Sequence, residues 1–341
     1  MVNVGVIGYG YWGPNVVRNF AENPGSQVTH VCDLREERLS QVRLRYPAIE
    51  ATTDCGALLK DARIHAVAIA TSVSSHFDIA MQALRAGKHV LVEKPLTATS
   101  DEAARLIDEA ERRNLVLMVD HTFVYTAAVR KIRDLVANKE LGDIHYYDSV
   151  RVNLGLFQHD VSVIWDLAVH DLSIMDFVLP ASPRAVSATG MNHVPAAPEN
   201  VAFITVFFDC PIIAHMHVNW LAPVKIRRTL IGGSRKMIVY DDLEPSEKVK
   251  VYNRGVTVGQ DAEAIYRTRI SYRMGDMWAP ELDTVEPLCR EVAHFVGCVE
   301  GREQPATDGR AGLRIVRLLE AATQSMKERG KPVDLPKEEL R

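Results

Sequence analysis

The chain opens on a run of β-forming residues, Val2 to Ile7, that breaks into Gly8-Tyr9-Gly10-Tyr11-Trp12-Gly13 and passes directly into the helical pattern Asn15 to Phe20. A glycine triplet alone constrains little, because any turn can use one. Between a strand and a helix its meaning is sharper. The first glycine makes the tight turn, the second lets the backbone approach a pyrophosphate, and the third allows close helix–strand packing. The N-terminus of the helix then offers its unpaired N–H groups to phosphate oxygens. Tyr11 and Trp12 fill the loop, and the indole is placed to shield the pyrophosphate or narrow the nicotinamide pocket. A second strand, Gln27 to Cys32, ends at Asp33, which lies 33 − 13 = 20 residues past the last glycine. A carboxylate there accepts hydrogen bonds from ribose hydroxyls and repels a 2′-phosphate, which favours NAD over NADP. Arg35, able to reach a 2′-phosphate, keeps NADP as the alternative.

The pattern that follows extends this into a doubly wound sheet. Ile64 to Ala70 is a near-continuous apolar strand, as expected where helices cover both faces. His76 to Ala86 is a helix, His89 to Val92 a strand, and Thr99-x-x-Glu102 a capping box that opens another helix before the strand Leu115 to Val119. Beyond about residue 125 the pattern changes. After a helix, Ala127 to Val136, strands dominate: Ile144 to Val152, Val201 to Phe208, Ile212 to Trp220, Ile226 to Ile231, Lys236 to Tyr240 and Lys248 to Tyr252. Strands in succession, with few helices between, argue for antiparallel pairing. Pro180 to Pro198 reads as a loop, and two amphipathic helices, near 285–299 and 315–322, end the pattern. The expected architecture is an α/β Rossmann dinucleotide-binding domain over 1–124 and an α+β domain with a largely antiparallel, open-faced sheet over 125–341.

Composition narrows the function class. Lys+Arg 40 against Asp+Glu 44 gives a net charge of −4, with no electrostatic drive toward nucleic acid or an anionic membrane. No apolar run approaches membrane-spanning length and the N-terminus lacks a signal-peptide pattern, so a cytoplasmic location is expected. The five cysteines form no C-x-x-C pair and read as small buried hydrophobes.

Two further groups carry chemistry. Lys94 follows a strand at the carboxyl edge, where open α/β sheets bind ligands, and its ammonium can polarise a substrate oxygen. In Asp166-Leu167-Ala168-Val169-His170 the i, i+4 spacing puts a carboxylate and an imidazole on one helical face. A histidine titrating near neutrality can take the proton of an alcohol as its carbon loses hydride, while the aspartate fixes the tautomer or holds a neighbouring hydroxyl.

These residues resemble the glucose–fructose oxidoreductase / inositol 2-dehydrogenase (Gfo/Idh/MocA) family. The carriers are Gly8-x-Gly10-x-x-Gly13, the run Ala86-Gly-Lys-His-Val-Leu-Val-Glu-Lys-Pro-Leu96, and Asp166-x-x-x-His170-Asp171, and the likeness runs over nearly the whole chain. The resemblance implies an NAD-dependent dehydrogenase of a secondary ring hydroxyl, with a nucleotide sugar of the UDP-N-acetylhexosamine type and its C3 position favoured. A dehydrogenase of a free sugar or an inositol-type polyol, or a non-catalytic cofactor-binding sensor of the same fold, are the alternatives. It further implies Lys94 and His170 as the catalytic pair, Asp166 as their assistant at the substrate, cofactor-side contacts from Thr71, Ser72 and His76, a Lys94–Pro95 bond that is often cis, and a homodimer or homotetramer joined through the second sheet. Two departures stand out. Val163-Ile164-Trp165 replaces the glycines many relatives carry before the aspartate, and Thr71-Ser72-Val73-Ser74-Ser75-His76 replaces the usual Thr-Pro-Asn.

Weaker signals complete the expectation. Glu93 is placed on the cofactor side beside Lys94, and His121 ends a strand near the nicotinamide pocket. Arg151, Asn153, Gln158 and His159 are candidate contacts to a sugar or its diphosphate. His215 and His217 share a strand face, best read as a polar sheet face or subunit contact, and no metal is expected.

Overall fold

Val-, Ile- and Ala-rich strands buried on both faces need helices above and below, and the first third of the chain supplies them. The computed structural model describes residues 1–155, 161–195, 198–258 and 270–336. The strands β1 (Val2–Ile7), β2 (Ser26–Cys32), β3 (Glu50–Thr52), β4 (Ala66–Ile69), β5 (His89–Glu93) and β6 (Leu117–Asp120) form one all-parallel sheet in the order β3-β2-β1-β4-β5-β6. All four residues of β4, and all four of β6, are buried. The crossovers are α1 (Gly13–Glu22), α2 (Glu36–Arg45), α3 (Cys55–Lys60), α4 (Val73–Arg85) and α5 (Ser100–Arg113). The capping box at α5 is complete: Thr99 accepts from the Glu102 amide and the Glu102 carboxylate accepts from the Thr99 amide, satisfying two donors the helix would otherwise leave open. After β6 a 3-10 turn, Thr122–Tyr125, leads out of the sheet.

The second sheet is built on the alternation of strands with one covered face. Behind α6 (Ala127–Ala137) come β7 (Ile144–Leu154), a π-helical turn at Ile164–Ala168 running into α7 (Val169–Val178), then β8 (Pro183–Met191), β9 (Val201–Phe208), β10 (Ile213–Asn219), β11 (Leu221–Gly233), β12 (Met237–Asp241), β13 (Val249–Tyr252), β14 (Gly255–Val258), β15 (Ile270–Arg273) and β16 (Met277–Trp278). The chain closes with α8 (Pro287–Val299), α9 (Gly309–Lys327) and β17 (Val333–Asp334). Among the described residues nine strands form the sheet β16-β13-β12-β11-β7-β10-β9-β8-β17, in which only the β7–β10 pair is parallel; β14 and β15 pair separately. The segment read as a Pro- and Ala-rich loop contains β8, whose Ala185, Val186 and Ala188 are buried. Small residues there weaken the alternation signal without removing the strand's partners on either side.

Chain contacts divide the molecule into Met1–Thr126 with Val285–Arg317, and Ala127–Thr284 with Leu318–Arg341. Packing thus takes Val285–Arg317, grouped by sequence pattern with the second domain, into the first unit. Phe295 of α8 meets Phe20 of α1 edge to face at 6.0 Å, and Arg18 of α1 grips Glu286 through two hydrogen bonds of 2.9 and 2.7 Å. Among the described residues no helix is long and apolar enough to cross a membrane. Cys32 and Cys298 are buried, but Cys210 and Cys289 are exposed, so the reading of the cysteines as core residues holds for only part of the set.

Candidate functional site

The glycine loop joins β1 to α1. Gly8 has φ +96°, in the left-handed region, and a Cβ there would come within 2.4 Å of the Ala70 carbonyl. Gly13 is tighter still, its ideal Cβ lying 2.2 Å from the Gly8 carbonyl. Gly10 differs: the nearest atom to a Cβ there is an Arg35 guanidinium nitrogen at 3.8 Å. Gly8 and Gly13 are therefore demanded by the fold, whereas Gly10 keeps open a cradle that the chain itself does not fill. Trp12 is the N-cap of α1 yet gives no side-chain cap, and Pro14 occupies the first turn, so the helix start is left to other acceptors. This is the arrangement a dinucleotide pyrophosphate fits.

Asp33 lies just past β2. Its Oδ2 accepts from the Tyr9 amide at 2.7 Å and its Oδ1 from the Arg35 amide at 2.9 Å. The carboxylate thus braces the glycine loop from the adjacent strand end, and its remaining lone pairs stay available to ribose hydroxyls. Tyr11 is 89% exposed, and the Arg35 side chain, half exposed, lies beside Asp33 with Nε 3.5 Å from Oδ1.

The region after β4 and β5 is knit by His76. Its ring is fully buried, with Nδ1 2.9 Å from the Pro95 carbonyl and Nε2 3.1 Å from the Thr71 carbonyl. Burial pushes its pKa down, so the ring is neutral and donates to one of the two carbonyls. His76, expected to touch the cofactor, instead holds the loop of Thr71 and the turn after Lys94 in place; both ring nitrogens face backbone. Thr71 is half-buried, its hydroxyl accepting from Ser75 Oγ at 2.8 Å, and Ser72 is exposed at the N-cap of α4. Glu93 and Lys94 are half-buried at the end of β5, and the Lys94–Pro95 bond is cis. Glu93 is the ladder partner of Asp120, the last residue of β6, and His121 follows, buried. Asp120 carries an interaction that spacing did not disclose: its Oδ2 accepts from Trp12 Nε1 at 2.6 Å.

In the second unit, Asp166 belongs to the π-helical turn and His170 to the first turn of α7; both are half-buried. The i, i+4 relation on one face holds for a regular α-helix; the observed turn is widened by one residue, a distortion frequent at functional sites. Asp166 Oδ2 accepts from Trp220 Nε1 at 3.1 Å. Trp220, 1% exposed, reads from the sequence only as the end of the strand Ile212 to Trp220, since an indole there carries no chemical signal. Val163 and Ile164, standing where many relatives have glycines, are fully buried, and Trp165 Nε1 bonds Thr323 Oγ1 at 3.0 Å.

Arg151 is corrected by its surroundings. Expected at the sugar, it is 3% exposed and its guanidinium is engaged by Asp171 of α7, with Nε–Oδ2 2.6 Å and a second bond of 3.3 Å. That bidentate pair ties β7 to α7 and sets the start of the helix bearing His170. Asn153, two residues further along the same strand face, is half-buried. Gln158 and His159 lie outside the described residues. His215 and His217 occupy the outer sheet face beside Phe203, the latter stacked on it at 4.5 Å between centroids.

Comparison with known proteins bears on the whole chain. Residues 2–121 match the model of the GFO_IDH_MocA "Oxidoreductase family, NAD-binding Rossmann fold", and residues 133–335 that of its C-terminal alpha/beta domain. A UDP-N-acetylglucosamine 3-dehydrogenase of Acidithiobacillus ferrooxidans is 28% identical over 92% of this chain and 94% of its own. A crystal form of that enzyme superposes with a TM-score of 0.78 at 27% identity, covering 95% and 96% of the two chains. The myo-inositol 2-dehydrogenase of Thermotoga maritima is 23% identical over 96% of this chain and 97% of its own. With both of its domain models matched along the sequence, and a parallel Rossmann sheet joined to a largely antiparallel one, this chain belongs to the Gfo/Idh/MocA oxidoreductase family.

Proposed function

We propose that this protein is an NAD-dependent dehydrogenase of a secondary ring hydroxyl in a nucleotide sugar, of the UDP-N-acetylhexosamine type and at C3. The observation that carries the reading is the likeness, over more than nine-tenths of both chains, to a UDP-N-acetylglucosamine 3-dehydrogenase. When bound, the nicotinamide supplies the hydride acceptor for oxidation and the donor for reduction. His170 takes the proton of the hydroxyl, Lys94 polarises the same oxygen, and Asp166, held by the Trp220 indole, orients the imidazole or a neighbouring hydroxyl. In the reverse direction the same groups return a proton to the oxygen. Asp33, an anion at the end of β2, supports NAD over NADP.

The test is nicotinamide absorbance during incubation with UDP-N-acetylglucosamine, UDP-N-acetylgalactosamine, free sugars and myo-inositol, with NAD and with NADP. Turnover of the nucleotide sugars with NAD is expected. Turnover of inositol alone would move the substrate to the polyol class, and tight cofactor binding with no turnover on any of them would make the protein a sensor. The outer face of β9 and β10, with Phe203, Phe207 and Ile213 at least 36% exposed, supports a second copy of the chain as the partner of that sheet. Light scattering on a Phe203→Lys, Phe207→Lys variant reads it: a shift to monomer is expected, and an unchanged mass would discard the interface.

A further inference from the structure

Glu291 of α8 is completely buried. Its carboxyl lies against Asp120, the Thr122 hydroxyl and the backbone of His121, all at the carboxyl end of β6. Burial, reinforced by the neighbouring Asp120 carboxylate, pushes its pKa well above the ordinary glutamate range and so favours the protonated acid. Asp120 is the acceptor on which the cluster converges. Its Oδ2 takes the Trp12 indole N–H at 2.6 Å and its Oδ1 takes the Thr122 hydroxyl at 2.5 Å. Two donors thus meet one carboxylate that is only 4% exposed, while both buried carboxyl oxygens of the adjacent Glu291 have, among the described residues, no N–H or O–H donor of their own, an arrangement that costs free energy unless that acid finds a partner.

Where this happens gives it meaning. In the sheet order, β4 and β5 lie between β1 and β6, an interval of about 14 Å at the usual strand spacing. The Trp12–Asp120 bond spans that interval, joining the glycine loop after β1 to the far strand end. Asp120 is the ladder partner of Glu93, the residue before Lys94. The indole is therefore anchored beside the strand end that carries Lys94, at the carboxyl edge where such sheets hold their ligands.

We propose that Glu291 is a positioning residue for the cofactor: by donating its O–H to Asp120 it fixes the carboxylate that holds the Trp12 indole as a wall of the nicotinamide half of the crevice. The inference deepens the NAD reading above and rests on it. A Gln at 291 keeps a neutral donor of the same length, while an Ala removes the donor and leaves Asp120 with one fewer partner.

The experiment compares Glu291→Gln, Glu291→Ala, Trp12→Phe and the Glu291→Ala, Trp12→Phe double variant, each checked for native circular dichroism. The first readout needs no cofactor. The emission of Trp12, taken as the difference between a protein and its Trp12→Phe counterpart, should shift to the red in Glu291→Ala and stay at the wild-type position in Glu291→Gln. The second is NAD affinity by titration. Glu291→Ala is expected to weaken binding about tenfold, the scale of one charge-assisted hydrogen bond, with Glu291→Gln within about twofold of wild type. Because Glu291 acts through the indole, Glu291→Ala and Trp12→Phe should be non-additive. Additive losses, an unmoved Trp12 emission in Glu291→Ala, or Glu291→Gln behaving like Glu291→Ala would each overturn the proposal. The emission shift in Glu291→Ala, together with a wild-type protein that binds neither NAD nor NADP, would instead sink the cofactor reading, and with it the role assigned to the wall. Should Glu291→Ala fail to fold, Glu291→Gln against Asp120→Asn carries the same comparison: the first near wild type in emission and affinity, the second displaced in both.

Discussion

The two units bury their polar groups in opposite ways. In the first, the central strands are covered on both faces, β4 and β6 contain no exposed residue, and the side chains offered for chemistry gather where strands end: Asp33 after β2, Lys94 after β5, Asp120 at the end of β6. Two of its buried carboxyls, Asp120 and Glu291, are neighbours of like type, and burial beside Asp120 holds the Glu291 carboxyl well above the ordinary glutamate range. In the second, a charged pair lies in mid-sheet: Arg151 points inward from β7 to meet Asp171, both nearly inaccessible, while the opposite face of the sheet leaves Phe203 and Phe207 in solvent. The parallel sheet can use only its rim for chemistry because its faces are spent on packing. The antiparallel sheet has a face to spare, and it spends interior volume on an ion pair that orients the helix carrying His170.

The largest expected effect breaks the second cluster. Asp171→Ala leaves the Arg151 guanidinium buried without its carboxylate, a loss of about 3–5 kcal/mol in thermal or denaturant unfolding; replacing both residues by apolar ones of similar volume should recover most of it. Next come the proposed reacting groups. Lys94→Ala and His170→Ala should each lower turnover about a hundredfold or more while NAD affinity stays within a few-fold, so that rate and binding measured on one preparation separate chemistry from fold. Wild-type turnover in either would remove the role.

The glycine loop offers a contrast within the first unit. Gly10→Ala, with no atom nearer than 3.8 Å to the added carbon, should fold normally and bind NAD about tenfold more weakly, the added methyl meeting the cofactor alone. Gly13→Ala, 2.2 Å from a backbone oxygen, should lower the melting temperature before any cofactor is added. Equal stability of the two variants would dissolve the distinction between a glycine kept for the fold and one kept for a ligand.

The smallest effect concerns pH. The Glu291 pKa is higher in the folded protein than in the unfolded chain, so folding takes up a proton. The stabilisation this represents is complete below the unfolded glutamate value of about 4.3 and is lost as pH rises through the raised folded value. The imidazoles of His121 and His294, the former in contact with Glu291 through its backbone and the latter one helical turn further along α8, both remain in the variant. Glu291→Gln, which has no proton to lose, should therefore melt above wild type at alkaline pH and flatten the decline of Tm between pH 6 and 9. Parallel Tm profiles would mean that Glu291 is ionised in the native state.

Much of this was legible along the chain. The glycine loop, the alternating strands of the second sheet and the capping box at Thr99 are patterns within a short window, where side-chain periodicity and local hydrogen bonding decide the outcome. Arg151 was misread because a charged residue between β-formers looks the same whether it faces a ligand or a buried aspartate. Which one it meets depends on α7 lying across the strand. His76 failed for a related reason: nothing local shows that both ring nitrogens face backbone carbonyls. The strand β8 was lost because Pro183, Ala185, Ala188 and Gly190 lack the bulk that marks a strand, and its existence is settled by β9 on one side and β17 on the other.

The parallel sheet, the loop that opens it and the residue types offered for chemistry are legible in the order of residues, because each follows from interactions among near neighbours in the chain. Long-range packing alone brings an indole from residue 12 to a carboxylate 108 positions later, and seats the glutamic acid of a helix from the chain's last sixth beside that carboxylate. Such pairings depend on which surfaces pack together, and a buried polar group acquires its charge state and its role from the partners that packing delivers.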